Sequence, residues 1–389
     1  MKIAWFCIPA AGHTNPTLAV VRRLTEAGHA VRYYSFEMYR EKIESTGAAF
    51  IPVDEYCAEM HLSPADGKRI ATDTAFATKV LADTTLAIDG AMLAELRTFQ
   101  PDVIVADSMA LWGKLLAIKL GVPFVCSTTT FAFNKESAKV MQQGLGDLFK
   151  LLLSLPKINR ELKRLQKAGY PVKSILDVVQ NDNNTNTIVY TSTYFQPSAD
   201  SFSAKYVFVG PSVTAKAPLP RITDRPRVYI SMGTVNNNMP ALYRTCIDAL
   251  ADKYELILSV GTQVDPAALG EIPPHVTAAQ HVDQMAVLAD CDAFLTHCGM
   301  NSVSEALYCG VPLVLFPQTA EQKGVANRTA ELGAGVLLPV DTADAVRAAI
   351  DKVIANDSYR IAAAQIRESF RSCSGPKEAA EFILSVANS

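Results

Sequence analysis

No run of about 18 apolar residues occurs in this chain, so no transmembrane helix is expected. No CxxC pair occurs among its 8 cysteines, which excludes a zinc knuckle and a thioredoxin-type motif. Cys7, Cys57, Cys126, Cys246, Cys291, Cys298, Cys309 and Cys373 are scattered, mostly in apolar segments. They read as reduced, buried thiols of a cytoplasmic protein. Charge is also scarce. Charged residues make up 19% and the formal net charge is -3, which argues against a nucleic-acid polymer as partner. No GxGxxG follows the first apolar run, and no GxxxxGKS, GxxxxGKT or GxSxG occurs. These absences weaken an NAD-dependent dehydrogenase, a P-loop ATPase and a nucleophile-elbow hydrolase. The opening MKIAWFCIPAAGH has a short apolar stretch that runs into a Gly-His loop, which suits a first strand better than a secretion signal.

What is present is apolar material for two cores: 389 residues, 49% of them hydrophobic. That length suits two domains of roughly 180 residues each. Strands are expected at Lys2–Ile8, Ala30–Phe36, Val103–Ala106 and Phe124–Ser127, with a helix over Asn15–Ala27 capped by Gly28. After Val207–Pro211 the prolines Pro218, Pro220 and Pro226 mark a linker. The alternation restarts with strands at Arg227–Ser231, Glu255–Val260, Ala293–Thr296 and Leu313–Phe316. Continuous β-branched runs separated by helices indicate parallel sheets covered on both faces. The expected fold class is α/β, with two doubly wound Rossmann-like domains whose facing strand ends form a ligand cleft. The expected boundaries are 1–211, a linker over 212–226, 227–375, and a C-terminal helix over 376–389.

Two stretches carry chemistry. In the second half, His297-Cys298-Gly299-Met300-Asn301-Ser302 turns from a strand into a helix expected over about Ser302–Tyr308 and closed by Gly310. Such a turn aims N–H groups and a positive dipole end at an anion. Gly299 permits close approach, Asn301 or Ser302 caps the helix or touches the anion, and His297 adds a donor. Glu305, one turn on, can accept from vicinal hydroxyls. An ordinary strand–loop–helix with a capping Asn is the competing reading. In the first half, Pro9-Ala10-Ala11-Gly12-His13-Thr14-Asn15-Pro16 follows the first strand, with Pro16 in the first helical turn and Thr14 or Asn15 as cap. That puts His13 in the loop at the carboxyl end of one strand and Asp107 at the end of another. Such a pair can work as base and orienter, although each residue alone also reads as structural. Asp102 precedes its strand and belongs at the opposite sheet edge.

The segment His281–Gln322 resembles the nucleotide-sugar signature of UDP-glycosyltransferases of the GT-B fold, especially the bacterial macrolide and flavonoid group. The matching residues are Gln284, Asp292, Thr296 to Ser302, Glu305, Gly310-Val311-Pro312, Pro317 and Glu321-Gln322. With the GHxNP-type motif and the PDVIVAD-type strand, the resemblance covers nearly the whole chain. It implies a catalytic dyad of His13 and Asp107. It implies a UDP-sugar site of Gly12, Ser231, Gly233, Thr234, His281, Val282, Gln284, His297, Gly299, Asn301, Ser302, Glu305, Glu321 and Gln322. The diphosphate would lie at His297 and the Gly299–Ser302 turn, the ribose at Glu305, and sugar hydroxyls at Glu321 and Gln322. Many relatives carry Trp and Pro where this chain has His281 and Asp283, so UDP over TDP is only partly implied.

A small apolar, hydroxylated acceptor would meet Phe131, Phe133, Leu145 and Phe149. The stripe that contains Leu145 and Phe149 reads first as sheet packing, then as an acceptor pocket, and last as an interfacial helix for a lipid acceptor. The expectation is an inverting O-glycosyltransferase that transfers a hexose from UDP to a flavonoid, macrolide or similar hydroxyl. It would work without metal or other cofactor and without stable membrane association. The alternatives are a sugar-nucleotide epimerase and a non-catalytic nucleotide-binding auxiliary protein.

Overall fold

Continuous apolar runs become parallel strands because helices cover both of their faces. The computed structural model describes residues 1–389 except 55–65, 67–68, 70–72, 135, 138–144, 173–182 and 235–236, and leaves out the side chains of 145–153. The chain forms two units, Met1–Ser212 with Cys373–Ser389, and Val213–Ser372.

The first unit runs β1 (Lys2–Phe6), α1 (Ala11–Glu26), β2 (Ala30–Ser35), α2 (Arg40–Glu44), β3 (Ala49–Pro52), α3 (Thr74–Phe99), β4 (Val103–Asp107), α4 (Leu111–Leu120), β5 (Phe124–Thr128), α5 (Leu145–Lys167), β6 (Thr187–Val189) and β7 (Tyr206–Phe208). Its sheet has the order β3-β2-β1-β4-β5-β6-β7 with parallel pairing. Strand alternation assigns the faces. Ile3, Trp5 and Cys7 share a core with Val20, Val21 and Leu24 of α1. Ala4 and Phe6 share the other with Ile88, Met92 and Leu96 of α3 and with Trp112 and Leu116 of α4. The register Trp5–Tyr33 and Phe6–Tyr34 stacks aromatic pairs across β1 and β2, the second with ring centroids 4.4 Å apart.

The second unit contains β8 (Arg227–Ser231), α6 (Pro240–Leu250), β9 (Glu255–Ser259), β10 (Val276–Ala279), α7 (Gln284–Leu288), β11 (Ala293–Thr296), α8 (Met300–Cys309), β12 (Leu313–Leu315), α9 (Ala320–Glu331), β13 (Gly335–Leu337), α10 (Ala343–Ala355) and α11 (Asp357–Arg371). Its sheet order is β10-β9-β8-β11-β12-β13, again parallel. The chain then returns to the first unit as α12 (Pro376–Ala387), whose Ala379, Ala380, Ile383 and Val386 join the core of β1 and α1.

Three features differ from the sequence expectation. First, α1 starts at Ala11, so Thr14 and Asn15 are not its cap and Pro16 lies inside the helix. The His13 and Thr14 amides both bond to the Ala10 carbonyl, at 3.0 and 2.9 Å, which begins the helix without a side-chain cap. Second, α8 starts at Met300 with Gly299 as N-cap, so Asn301 and Ser302 lie in its first turn. Third, residues 213–226 do not hang between units. From Val213 they belong to the second unit. The Arg227–Glu255 pair, fully buried at 2.7 Å, fixes them. Arg227 donates to the Leu219 and Pro220 carbonyls, and Glu255 accepts from the Ile222 and Thr223 amides. A buried ion pair needs its remaining hydrogen bonds filled, and this stretch fills them.

Among the described residues five cysteines, Cys7, Cys126, Cys246, Cys291 and Cys298, are buried; Cys57 lies outside those residues. Among the described residues no helix is long and apolar enough to cross a membrane.

Candidate active site

Both sheets reverse their strand order once. In the first unit the reversal falls between β1 and β4, and in the second between β8 and β11. Carboxyl ends at such a point splay their loops apart and leave room for a ligand.

In the first unit, the turn after β1 leads straight into α1, so His13 stands in the first helical turn rather than in a loop. Its Nδ1 lies 2.8 Å from Asp107 Oδ2 at the end of β4. The Asp107 side chain is fully buried and that of His13 is 18% exposed, so the orienting group is dry and the ring is reachable. Asp107 Oδ1 accepts from the Met109 amide at 2.8 Å, which fixes the carboxylate plane. A carboxylate only accepts, so Nδ1 carries the proton and Nε2 holds the basic lone pair. Asp102 lies at the other sheet edge, where it accepts from the Lys2 amide at 2.7 Å. Sequence reasoning missed Thr129, whose hydroxyl is 3.1 Å from the same Nδ1. The only signal was a run of three threonines after an apolar strand.

In the second unit, His297 follows β11 and is wedged between two glycines. A Cβ on Gly233 would stand 2.4 Å from His297 Nε2, and one on Gly299 2.7 Å from it. Gly233 also has φ +77° and donates its amide to Ser231 Oγ. Cys298, between His297 and Gly299, takes φ +68°, a conformation that strains a side-chain-bearing residue. Its amide donates to Thr296 Oγ1 at 3.2 Å. Burial lowers the His297 pKa to about 4, and the Ser231 carbonyl offsets this only in part. His297 Nδ1 is buried without a partner at hydrogen-bonding geometry. The ring is therefore a neutral donor rather than a cation. The Val303 amide bonds back to the Gly299 carbonyl at 3.0 Å and closes the first turn of α8.

Glu305 lies on α8 beside Gln284, which donates to it from Nε2. Burial raises the Glu305 pKa, and the Gln284 bond works against that shift. Tyr229 donates to Gln284 Oε1 at 3.0 Å, a contact hidden within an apolar strand. Asp283 caps α7 by accepting from the Ala286 amide and pairs with Lys216 at 2.6 Å. His281 is exposed beside it and Val282 is half-buried. Gln322 forms a capping box with Thr319, and its carbonyl accepts from the Gln318 and Thr319 amides. Glu321 and Thr234 are exposed. Asn237, also missed, donates to the Gly233 carbonyl at 3.0 Å and holds that loop.

Of the aromatic acceptor candidates, Phe131 is buried against Phe195 at 5.3 Å, while Phe133 is 42% exposed. Leu145 and Phe149 lie on α5, and their side chains fall outside the described residues.

Residues 244–386 match the family described as Erythromycin biosynthesis protein CIII-like, C-terminal domain. The chain is 32% identical to the uncharacterized UDP-glucosyltransferase YdhE of Bacillus subtilis, over 96% of this chain and 95% of that one. It is likewise 32% identical to NDP-glycosyltransferase YjiC of Bacillus subtilis, over 97% and 95%. The chain belongs to the GT-B family of bacterial macrolide-type glycosyltransferases. The crystal structure of the glycotransferase of kitacinnamycin superposes on this glycosyltransferase with a TM-score of 0.83 at 27% identity, covering 99% of this chain and 98% of that one. In this glycosyltransferase, then, the residues with unusual surroundings gather at the carboxyl ends of both sheets.

Proposed function

We propose that this glycosyltransferase is an inverting, UDP-sugar-dependent O-glycosyltransferase that moves a hexose, glucose first among those to test, onto a hydroxyl of a small apolar acceptor. The observation that carries this reading is the His13–Asp107 pair, a reachable imidazole whose Nδ1 is held at 2.8 Å by a dry carboxylate. His13 Nε2 takes the acceptor proton as the hydroxyl oxygen attacks the anomeric carbon. The bond from that carbon to the diphosphate oxygen breaks, and the configuration inverts. UDP leaves with its charge on the Gly299–Ser302 turn and on a neutral His297 donor. Gln284 and Glu305 accept the ribose, His281 and Val282 the base, and Glu321 with the Gln322 amide the sugar. The acceptor lies against Phe133, with Phe131, Leu145 and Phe149 shaping that side. No metal takes part in the proposed step.

A matrix of UDP- and dTDP-sugars against phenolic, macrolide and sterol acceptors, read by mass spectrometry, tests the reading. The expected product is a single β-linked glucoside from UDP-α-glucose. His13→Ala should lower turnover on an aliphatic alcohol by at least about 10²-fold, since general-base assistance is worth about 10²–10⁴. Asp107→Asn should lose activity by the same route, and the double variant should be little worse than the worse single one. A donor converted to another sugar without acceptor, or near-normal turnover by His13→Ala, overturns it.

A further inference from the structure

Three neighbouring strands, β1, β4 and β5, end on the same imidazole. His13 Nδ1 meets Asp107 Oδ2 at 2.8 Å and Thr129 Oγ1 at 3.1 Å. Thr129 is only 3% exposed and directly follows β5. We propose that Thr129 is a positioning residue for the base, its hydroxyl oxygen sharing the Nδ1–H with Asp107 and holding the ring in the plane that presents Nε2 to the acceptor. The inference rests on the reading of His13 as base and adds a third group to it.

The chemistry follows from donor count. One N–H faces two oxygens, and the Asp107 carboxylate has no hydrogen to give. Thr129 Oγ1 therefore accepts, and its dipole adds to the field that favours the protonated ring formed during transfer. A carboxylate alone fixes the tautomer but lets the ring pivot about a single contact, whereas two acceptors on different strands fix its tilt. Among the described residues, the ionisable groups near this sheet end include Cys7, Tyr33 and Tyr190. Burial raises the pKa of each, so they stay neutral around the pH at which imidazole titrates.

The test compares wild type, Thr129→Val, Thr129→Ser and His13→Ala, with initial rates from pH 5 to 9 and thermal unfolding of each. Thr129→Val keeps the shape and removes the hydroxyl. Its kcat should fall roughly 3–10-fold, the range for one lost hydrogen bond. Its donor and acceptor KM should stay put, and the acid limb of kcat/KM should move down by about half a pH unit. Thr129→Ser should recover most of both changes. Thr129→Ala gives the same readings should the valine variant fail to fold. In a His13→Ala background Thr129→Val should cost nothing further.

Three results overturn the inference: an unchanged kcat and pH limb, a raised KM with the pH limb in place, which makes Thr129 a ligand contact, or a serine variant as poor as the valine one. If His13→Ala itself keeps full activity, the base reading fails. A silent Thr129→Val beside an inactive His13→Ala removes only the present inference.

Discussion

Gly233 and Gly299 each come within a methyl group's reach of one imidazole, and that crowding sets two predictions at the scale of the residue. Gly233→Ala adds a Cβ 2.4 Å from His297 Nε2 at φ +77°. The ring must move, so UDP affinity measured by calorimetry should fall at least about tenfold, the equivalent of one lost charged hydrogen bond. Gly28→Ala is the control. It has φ +83° but nothing within 4 Å of the added Cβ. It should lose about 1–2 kcal/mol of stability and leave UDP affinity alone. Equal UDP affinity in the two variants would free His297 from its glycine seat. The second prediction concerns pH. Folded His297 stays neutral down to about pH 4, against an ordinary value of 6.5. Below 6.5 the unfolded chain takes up a proton that the folded one refuses. The stability present above 6.5 is therefore lost as pH falls from 6.5 towards 4. From pH 7.5 to 5 wild type should lose about 2 kcal/mol more in urea unfolding than His297→Gln, in which the other titrations cancel. Parallel losses would place His297 in a wetter setting. The sequence suggested His297 and Gly299 as partners in an anion turn. It did not reveal the role of Gly233, which lies 64 positions away along the chain and meets the ring only when β8 and β11 pair.

The elements were legible wherever burial is continuous. β4, β8 and β11 appear in the sequence through their apolar centres, Val103–Ala106, Val228–Ile230 and Ala293–Leu295, because they are covered on both sides. Helix starts were not legible to the same degree. Thr14-Asn15-Pro16 looks like a cap followed by a first-turn proline, yet the backbone at Ala10 begins α1 four residues earlier. The Thr319-x-x-Gln322 spacing is a capping-box signal, and in the structure Gln322 closes that box at the start of α9. For α12 the sequence showed the helix but not what covers it, since Ile383 joins the core of α1 and its sheet only in three dimensions. Ile383 is 0% exposed, so Ile383→Ala should destabilise the first unit by about 2–5 kcal/mol. Both tryptophans, Trp5 and Trp112, lie in that unit, so their fluorescence reports its unfolding alone. An unmoved fluorescence midpoint would show that α12 is dispensable to that core.

For the whole molecule, the fold class could be read from the alternation of runs, and both sheets are parallel and doubly wound. The pairing of His13 with Asp107 was legible because each lies at the carboxyl end of a strand of the pattern. Thr129 was not, because nothing in a threonine run specifies a hydrogen-bond partner 116 positions away. Among the described residues no group of three or more His, Cys, Asp or Glu side chains gathers as a metal site. In the proposed chemistry helix-turn amides and a neutral imidazole hold the diphosphate, so activity should persist in excess EDTA. Loss on chelation that magnesium or manganese restores would sink the proposed donor chemistry. The return of α12 to the first unit has a consequence for biosynthesis. A ribosome adding about 5–20 residues per second needs roughly ten to thirty seconds to make the intervening second unit of about 160 residues. Throughout that interval the flank of α1 and the ends of β4 and β5 that α12 packs against wait without it. The nascent first unit thus keeps that apolar surface uncovered until α12 has been made. A circular permutant that joins 389 to 1 and begins at Cys373 would release the first unit from that wait.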